Sequence, residues 1–373
     1  MRLDQIQTPA LLLDRGRLDQ NLARMATQLG RLGVPLRPHV KTAKSHPVVQ
    51  RALAGQPGGV TVSTLAEAES CAEAGIRDIL YAVGIEPGKL DRVAVLRRSG
   101  VELVVILDSV EMARRLLDEA KALGVEFPAL IELDTDGHRA GVPPASPLLL
   151  EIAGALGSQL RGVMTHAGES YLAKSTEAIR EIAEVERAGA VRAAERLRAA
   201  GHSCEVVSVG STPTALFAAN LTGVTEVRAG VHMFMDLVMA GLGVCRVDEI
   251  ALSVLTTVIG HQREKGWLLT DAGWMALSRD RGTAAQRVDQ GYGVVCDLNG
   301  APIGDLIVSG ANQEHGIVSS RGQNALELAR FPVGTRLRIL PNHACATAAQ
   351  HAAYQVIDGG TEVIEAWPRF GGW

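Results

Sequence analysis

Between Val34 and Val231 the sequence switches repeatedly between two hydrophobic periods, and this alternation restricts the fold more than any other feature. Short β-branched runs recur at Val34–Val40, Gly59–Ser63, Asp78–Val83, Glu102–Asp108, Pro128–Asp134, Leu160–His166, Glu205–Gly210 and Thr225–Val231. Longer stretches rich in Ala, Leu, Glu and Arg separate them, among them Val110–Leu123, Leu148–Leu156 and Thr176–Ala200. The first kind of segment suits strands and the second suits helices. Strands joined through helices lie parallel, because the chain must cross over before it can pair again. Eight such units in about 200 residues predict a closed (β/α)8 TIM barrel rather than an open sheet.

From Leu242 the pattern changes. Ile250–Ile259, Trp267–Thr270, Leu306–Ser309, Leu337–Leu340 and Thr361–Trp367 read as strands between Gly-rich turns, with few long helical stretches. The expectation is an α/β chain in two parts, a barrel over 8–241 and a mostly β domain over 242–373. A strand over Thr8–Asp14, ahead of a helix over Leu18–Leu32, can belong to either part, so residues 1–14 can add a strand to the β domain.

Charge and composition narrow the partners. The 37 basic and 41 acidic residues leave a net charge of −4 with no long run of one sign, so a basic nucleic-acid-binding face is not expected. No stretch approaches the roughly 20 apolar residues of a membrane span. Met1–Ile6 lacks the apolar core of a secretory leader, and the five cysteines are odd in number and scattered. A cytoplasmic protein without a disulfide framework is the expectation.

In such a barrel, chemistry gathers at the carboxyl ends of the strands. The first strand ends His39-Val40-Lys41, the fifth runs into Glu132 to Arg139, the sixth ends at His166 and the seventh at Gly210-Ser211-Thr212. Polar loops follow strands in many barrels, and a lysine there is most often a solvated surface group. Lys41 is unusual in closing an otherwise apolar strand, flanked by His39 and Lys44. Partial desolvation and a neighbouring cation make an amine more nucleophilic. Gly210, Ser211 and Thr212 offer hydroxyls and backbone N–H groups suited to a phosphate, or to a plain helix cap. A reactive lysine and a phosphate cradle together suggest pyridoxal 5'-phosphate (PLP). In the β domain, His343 and Cys345 stand two apart and can share one metal ion if the chain is extended. An imidazole with a thiolate favours zinc, with manganese or another divalent ion as the alternative. The polar segment Gln313-Glu314-His315 is a candidate support for that metal, or a loop, and Gln313 and His315 are also candidates for contact with the substrate.

Taken in order, Arg37-Pro38-His39-Val40-Lys41-Thr42, Glu132-x-Asp134 with Gly137-x-Arg139-x-Gly141-Val142, Glu226-x-x-Ala229-Gly230 with Phe234-Met235-Asp236, Asp271-Ala272-Gly273, Glu314-His315-Gly316 and Pro341-Asn342-His343-Ala344-Cys345 resemble the D-serine dehydratase / D-threonine aldolase family of fold-type III PLP enzymes. The similarity spans nearly the whole chain. Val209–Thr214, Asp271–Met275 and Ser278–Thr283 look closest to its D-threo-3-hydroxyaspartate dehydratase branch.

The resemblance implies an alanine-racemase-like barrel, a homodimer and a small D-amino acid substrate. It places Lys41 as the Schiff-base lysine, Arg139 beside the pyridine nitrogen, Gly230 at the cofactor and His343 with Cys345 on the metal. His166 is the candidate for packing against the cofactor ring, with Tyr171 beside it, and Arg279 or Arg281 for a second substrate carboxylate. His232 departs from the family, which commonly has tyrosine there. Family aldolases usually carry His-x-Asp where this chain has His-x-Cys, which tilts the expectation to a dehydratase releasing a 2-oxo acid and ammonia. An aldolase giving glycine plus an aldehyde or glyoxylate is the runner-up. A racemase would need a second base, for which the β domain offers Tyr292, and PLP-carrier proteins lack a β domain altogether.

Overall fold

The computed structural model describes residues 1–322 and 324–373. Contacts divide the chain into two compact units, one of Arg24–Gly230 with Phe370–Trp373, the other of Met1–Ala23 with Val231–Arg369. The division differs from the sequence boundaries of 8–241 and 242–373 at both ends. At the amino end the cause is the first strand, β1 (Ala10–Asp14), which takes the option left open for residues 1–14 and pairs antiparallel with residues 252–255 and parallel with residues 355–357. Its hydrogen-bonding edges are therefore satisfied within the second unit.

The first unit is built on eight parallel strands: β2 (Leu36–Pro38), β3 (Val60–Val62), β4 (Asp78–Gly84), β5 (Glu102–Leu107), β6 (Ala129–Leu133), β7 (Leu160–Thr165), β8 (Val206–Val209) and β9 (Glu226–Ala229). They follow one another around the sheet, and β9 returns to β2 with Leu36 opposite Val227. A single bridge from His39 to Thr61 links β2 to β3 and closes the barrel. The helices between the strands begin and end where the sequence says they should. Ser109 accepts the Met112 N–H at 3.2 Å to start Val110–Leu123, and Gly124 ends it in the left-handed region.

Alternation along the strands sorts the side chains into two sets. Ile79, Tyr81, Leu103, Val105, Ile131, Val163, Val207 and Val227 join the large apolar cluster. Leu80, Ile106, Leu130 and Met164 form a separate small one. Alternate positions on the remaining strands carry Arg37, Ser208, Glu226 and Arg228, so part of this barrel's interior is charged.

In the second unit, β1 is joined by β10 (Leu252–Gln262), β11 (Trp267–Thr270), β12 (Val294–Cys296), β13 (Pro302–Ala311), β14 (Gly316–Ser320), β15 (Arg336–Leu340), β16 (Ala353–Ile357) and β17 (Glu365–Pro368). The order β10-β11-β14-β13-β12-β15 returns to β10 and makes a small antiparallel barrel. Long β10 makes this possible, since its first half pairs with β1 and its second half with β11. No helix among the described residues is long and apolar enough to cross a membrane.

Candidate active site

The charged interior of the first barrel rises toward the end that carries Lys41. Arg37 binds Asp78 through both terminal nitrogens at 2.9 Å and Glu226 through Nε at 2.7 Å. Ser208 donates to the other Glu226 oxygen at 2.6 Å and accepts from Arg228 at 2.7 Å. Arg228, 4% exposed, also donates to the Thr165 carbonyl. Burial lowers its pKa, and the carboxylates of Glu226, Glu186 and Glu132 counter that effect.

Beyond Arg228 stand His39 and His166. Burial holds both rings well below the ordinary histidine range, and the charges of Lys41 and Arg228 push the same way. For His166 the value falls to about 3. His166 is therefore neutral at working pH. Its Nδ1 lies 3.0 Å from the Gly210 carbonyl, which can only accept, so the proton sits on Nδ1 and Nε2 is left as an acceptor. The Tyr171 ring lies 6.1 Å from His166, tilted by 42°. Lys41 is exposed in the 3-10 turn Val40–Thr42 just beyond β2, which ends earlier than the expected His39-Val40-Lys41, while Lys44 is committed to buried Glu67 at 3.0 Å.

Arg139, with a side chain 61% exposed, reaches Glu132 at 3.3 Å. Burial raises the Glu132 pKa despite that partner. The two residues line a small cavity together with Asp134, His138 and His166. Gly230 admits no side chain, since a Cβ would meet Thr42 Oγ1 at 2.6 Å and His39 Cβ at 3.2 Å. Gly210 is restricted twice, by a φ of +135° and by the Arg228 carbonyl 2.3 Å from where its Cβ would be. The backbone donors expected to be open to a phosphate are partly taken. Gly210 N–H donates to Glu186 and Ser211 N–H to Thr214 Oγ1, as Ser211 caps the helix Thr212–Phe217. The hydroxyls of Ser211, Ser170 and Thr214 are clustered and buried beside them.

In the second unit, His343 is the extended residue that caps the short helix Ala344–Ala348. Cys345 therefore lies in a helical turn, not on the extended chain that the spacing implied, and still hydrogen-bonds the imidazole. Asp280 accepts from His343 Nδ1 at 2.6 Å. Burial alone would lower the His343 pKa, but Asp280 and Cys345 push it up to about 11. Asp236, buried, takes the Ala344 N–H at 3.0 Å and the Met239 N–H at 2.9 Å, fixing the turn between His343 and Cys345.

Of the other expected residues, Gln313 and His315 are exposed in the turn between β13 and β14. The group that orients His343 is Asp280, within the Ser278–Thr283 segment whose arginines alone were expected to act. Arg281 is bound to Asp289 at 2.5 Å and lies over Tyr292, and Arg279 lies over Trp274. His232 is fully buried, which lowers its ring pKa to about 3. Glu186 and Arg228 were missed, and Asp236 was legible only as a motif residue without its role, because a charged residue inside an apolar stretch announces its partners only once the chain is folded.

A parallel eight-strand barrel with a lysine and two neutral histidines at its strand ends, joined in sequence to a small antiparallel barrel, defines the alanine-racemase-like class. Known families agree: alanine racemase, N-terminal domain, matches residues 13–238, and putative serine dehydratase domain matches residues 251–357. The chain is 54% identical to D-threo-3-hydroxyaspartate dehydratase of Delftia sp. (strain HT23), over 99% of this chain and 98% of the relative. It is 29% identical to D-serine dehydratase of Dictyostelium discoideum (98% and 97% covered) and to 3-hydroxy-D-aspartate aldolase of Paracoccus denitrificans strain Pd 1222 (98% and 92%). The solved Delftia sp. HT23 dehydratase superposes with a TM-score of 0.98 at 53% identity, all of both chains covered. A C-to-A mutant of D-threo-3-hydroxyaspartate dehydratase, solved in the metal-free form, gives 0.98 at 52% with the same coverage. The chain belongs to the D-serine dehydratase / D-threonine aldolase-like family of PLP-dependent lyases.

Proposed function

We propose that the protein is a PLP- and divalent-metal-dependent dehydratase acting on D-3-hydroxy amino acids, D-threo-3-hydroxyaspartate foremost and D-serine second. The products would be a 2-oxo acid (oxaloacetate or pyruvate) and ammonia. The observation that carries the reading is the His343–Cys345 pair backed by Asp280 at 2.6 Å, in a chain similar over its whole length to a dehydratase.

The residues fit both groups. For PLP, Lys41 supplies an amine at a strand end, Gly210 and Gly230 keep the strand ends free of side chains, and Ser211 and Thr212 add hydroxyls. His166 and Tyr171 offer ring faces, and Arg139 offers a guanidinium as a hydrogen-bond donor. Bound PLP supplies the electron sink that makes the substrate's α-proton acidic. Lys41 would hold the cofactor, and its free amine would be the base for that proton. His39 and His166 remain neutral and so do not compete as acids near neutral pH.

For the metal, an imidazole oriented by a carboxylate with a thiol in reach is a donor set suited to zinc first and manganese second. The ion would supply Lewis acidity for a hydroxyl leaving group. Metal binding would displace the proton that Asp280 and Cys345 stabilise on His343. Arg281, already paired with Asp289, is a weaker candidate for a substrate carboxylate than the exposed Arg279. Family membership also supports a homodimer, which sedimentation analysis tests.

A product assay decides the reading. D-Serine, D-threonine and the 3-hydroxyaspartate stereoisomers are incubated with the enzyme, with and without a chelator. Ammonia and 2-oxo acid are expected, with the yield abolished by verified metal removal and by Lys41→Ala. Glycine with an aldehyde or glyoxylate, and no ammonia, would replace the reading with an aldolase.

A further inference from the structure

One buried carboxylate in the first unit has no part in the chemistry so far. Glu186, in the helix Thr176–Ala199, is 3% exposed. The same helix buries Ala183, Ala190, Ala193 and Ala194, so a glutamate among them costs desolvation that an apolar side chain would not. Its partners lie at the ends of two neighbouring barrel strands. Oε1 accepts the Ala167 N–H at 3.1 Å, just after β7, and the Gly210 N–H at 2.9 Å, just after β8. The Thr214 hydroxyl bonds to the same carboxylate.

The two N–H groups are not equivalent bystanders. That of Ala167 belongs to the peptide that follows His166, so the bond fixes the backbone from which the imidazole projects. That of Gly210 fixes the residue whose carbonyl takes the His166 Nδ1 proton at 3.0 Å. A single oxygen thus holds His166 from both sides, its backbone directly and its ring through Gly210. Ser170 closes the arrangement, donating to the Ala167 carbonyl at 2.7 Å and meeting Ser211 Oγ at 2.8 Å.

We propose that Glu186 is a positioning residue that locks the loops after β7 and β8 together, so that His166 presents a fixed ring with an unprotonated Nε2 to the cofactor. The proposal rests on the reading of these strand ends as the PLP site. Glu186 touches neither substrate nor cofactor in this role.

The experiment compares wild type, Glu186→Gln, Glu186→Asp and Glu186→Ala. Each apoenzyme is titrated with PLP, following the absorbance and visible circular dichroism of the bound cofactor. In parallel, ¹⁵N-histidine NMR of the apoenzyme reports the His166 tautomer. Glutamine keeps an oxygen that can accept both N–H groups, so its dissociation constant should stay within about threefold of wild type, with the same dichroism. Alanine should weaken PLP by roughly tenfold or more, change the cofactor dichroism and give a mixed His166 tautomer. Aspartate, a methylene shorter, should fall between them, and it decides the question if the alanine variant does not fold. Binding within twofold of wild type, with unchanged dichroism and an intact Nδ1–H tautomer in Glu186→Asp or Glu186→Ala, overturns the proposal. Wild type failing to bind PLP would overturn the cofactor reading instead, and the tautomer measurement would still decide the role of Glu186.

Discussion

Replacing Arg228 with methionine is the most severe single test of how the first barrel is held together. The change keeps an apolar stem of similar reach and removes the guanidinium. Glu226, Glu186 and Glu132 lose the cation they share, and the Thr165 carbonyl loses a donor. Ser208 Oγ keeps its bond to Glu226 at 2.6 Å, so it adds little to the damage. Removing one member of a buried ionic group costs about 3–5 kcal/mol, so we expect a loss near 4 kcal/mol. Against a folding free energy of about 5–15 kcal/mol, that is a large share. The loss should also depend on pH. Burial already raises the Glu132 and Glu186 pKa values, and removing Arg228 raises them further. A carboxyl with a folded pKa above its unfolded value favours the folded state at low pH and loses that contribution as pH rises through the folded pKa. The deficit should therefore be larger at pH 8 than at pH 5.5. Urea denaturation followed by far-ultraviolet circular dichroism at both pH values measures it. A deficit below about 1 kcal/mol at pH 8, or one equal at the two pH values, refutes the electrostatic account.

Two further outcomes follow from the site geometry. Asp280→Asn preserves shape but removes the charge behind His343, so metal affinity should drop by roughly 10- to 100-fold in competition with a chromophoric chelator. PLP binding should stay as in wild type, and unchanged metal affinity would rule out the orienting role. His166, with a pKa of about 3, should show flat ring resonances from pH 8 to pH 5. Because its folded pKa lies below the unfolded value, it contributes stability above about pH 6.5 that is lost as pH falls toward 3. A midpoint near 6 in its titration would show the ring to be solvated.

How much the sequence reveals depends on whether the cause is local. The helix Val110–Leu123 was legible to the residue, because its Ser109 cap and Gly124 terminator lie beside it. Strand positions in the first barrel were legible to within one or two residues, since a β-branched run between polar turns is a local signal: Leu160–His166 was expected and Leu160–Thr165 is observed, whereas Leu306–Ser309 extends to Pro302–Ala311 and Thr361–Trp367 shortens to Glu365–Pro368. Strands β12, β14 and β16 were not read, being short or mixed in polarity and stabilised by neighbours distant in the chain. Lys41 and His343 stood out through motif and chain position. Asp280 lies 63 residues from His343, and Glu186 lies 24 from Gly210, so no spacing rule connects them. The strand at Ala10–Asp14 was legible as a strand, with residues 1–14 open to either part, and its pairing with a strand some 240 residues away is what decides between them.

The charged interior of the first barrel has a consequence for how such a chain can change over generations. An apolar core tolerates exchange one side chain at a time, each swap trading a little volume. Here Arg37, Glu226, Ser208 and Arg228 are linked by successive contacts, and Glu132 and Glu186 answer the same guanidinium. Substitutions within such a set do not add, because each alters the worth of the next. The interior is thus inherited as a block: a descendant that gave up the arginine would have to surrender a carboxylate with it, and the viable path between the two runs through a double change.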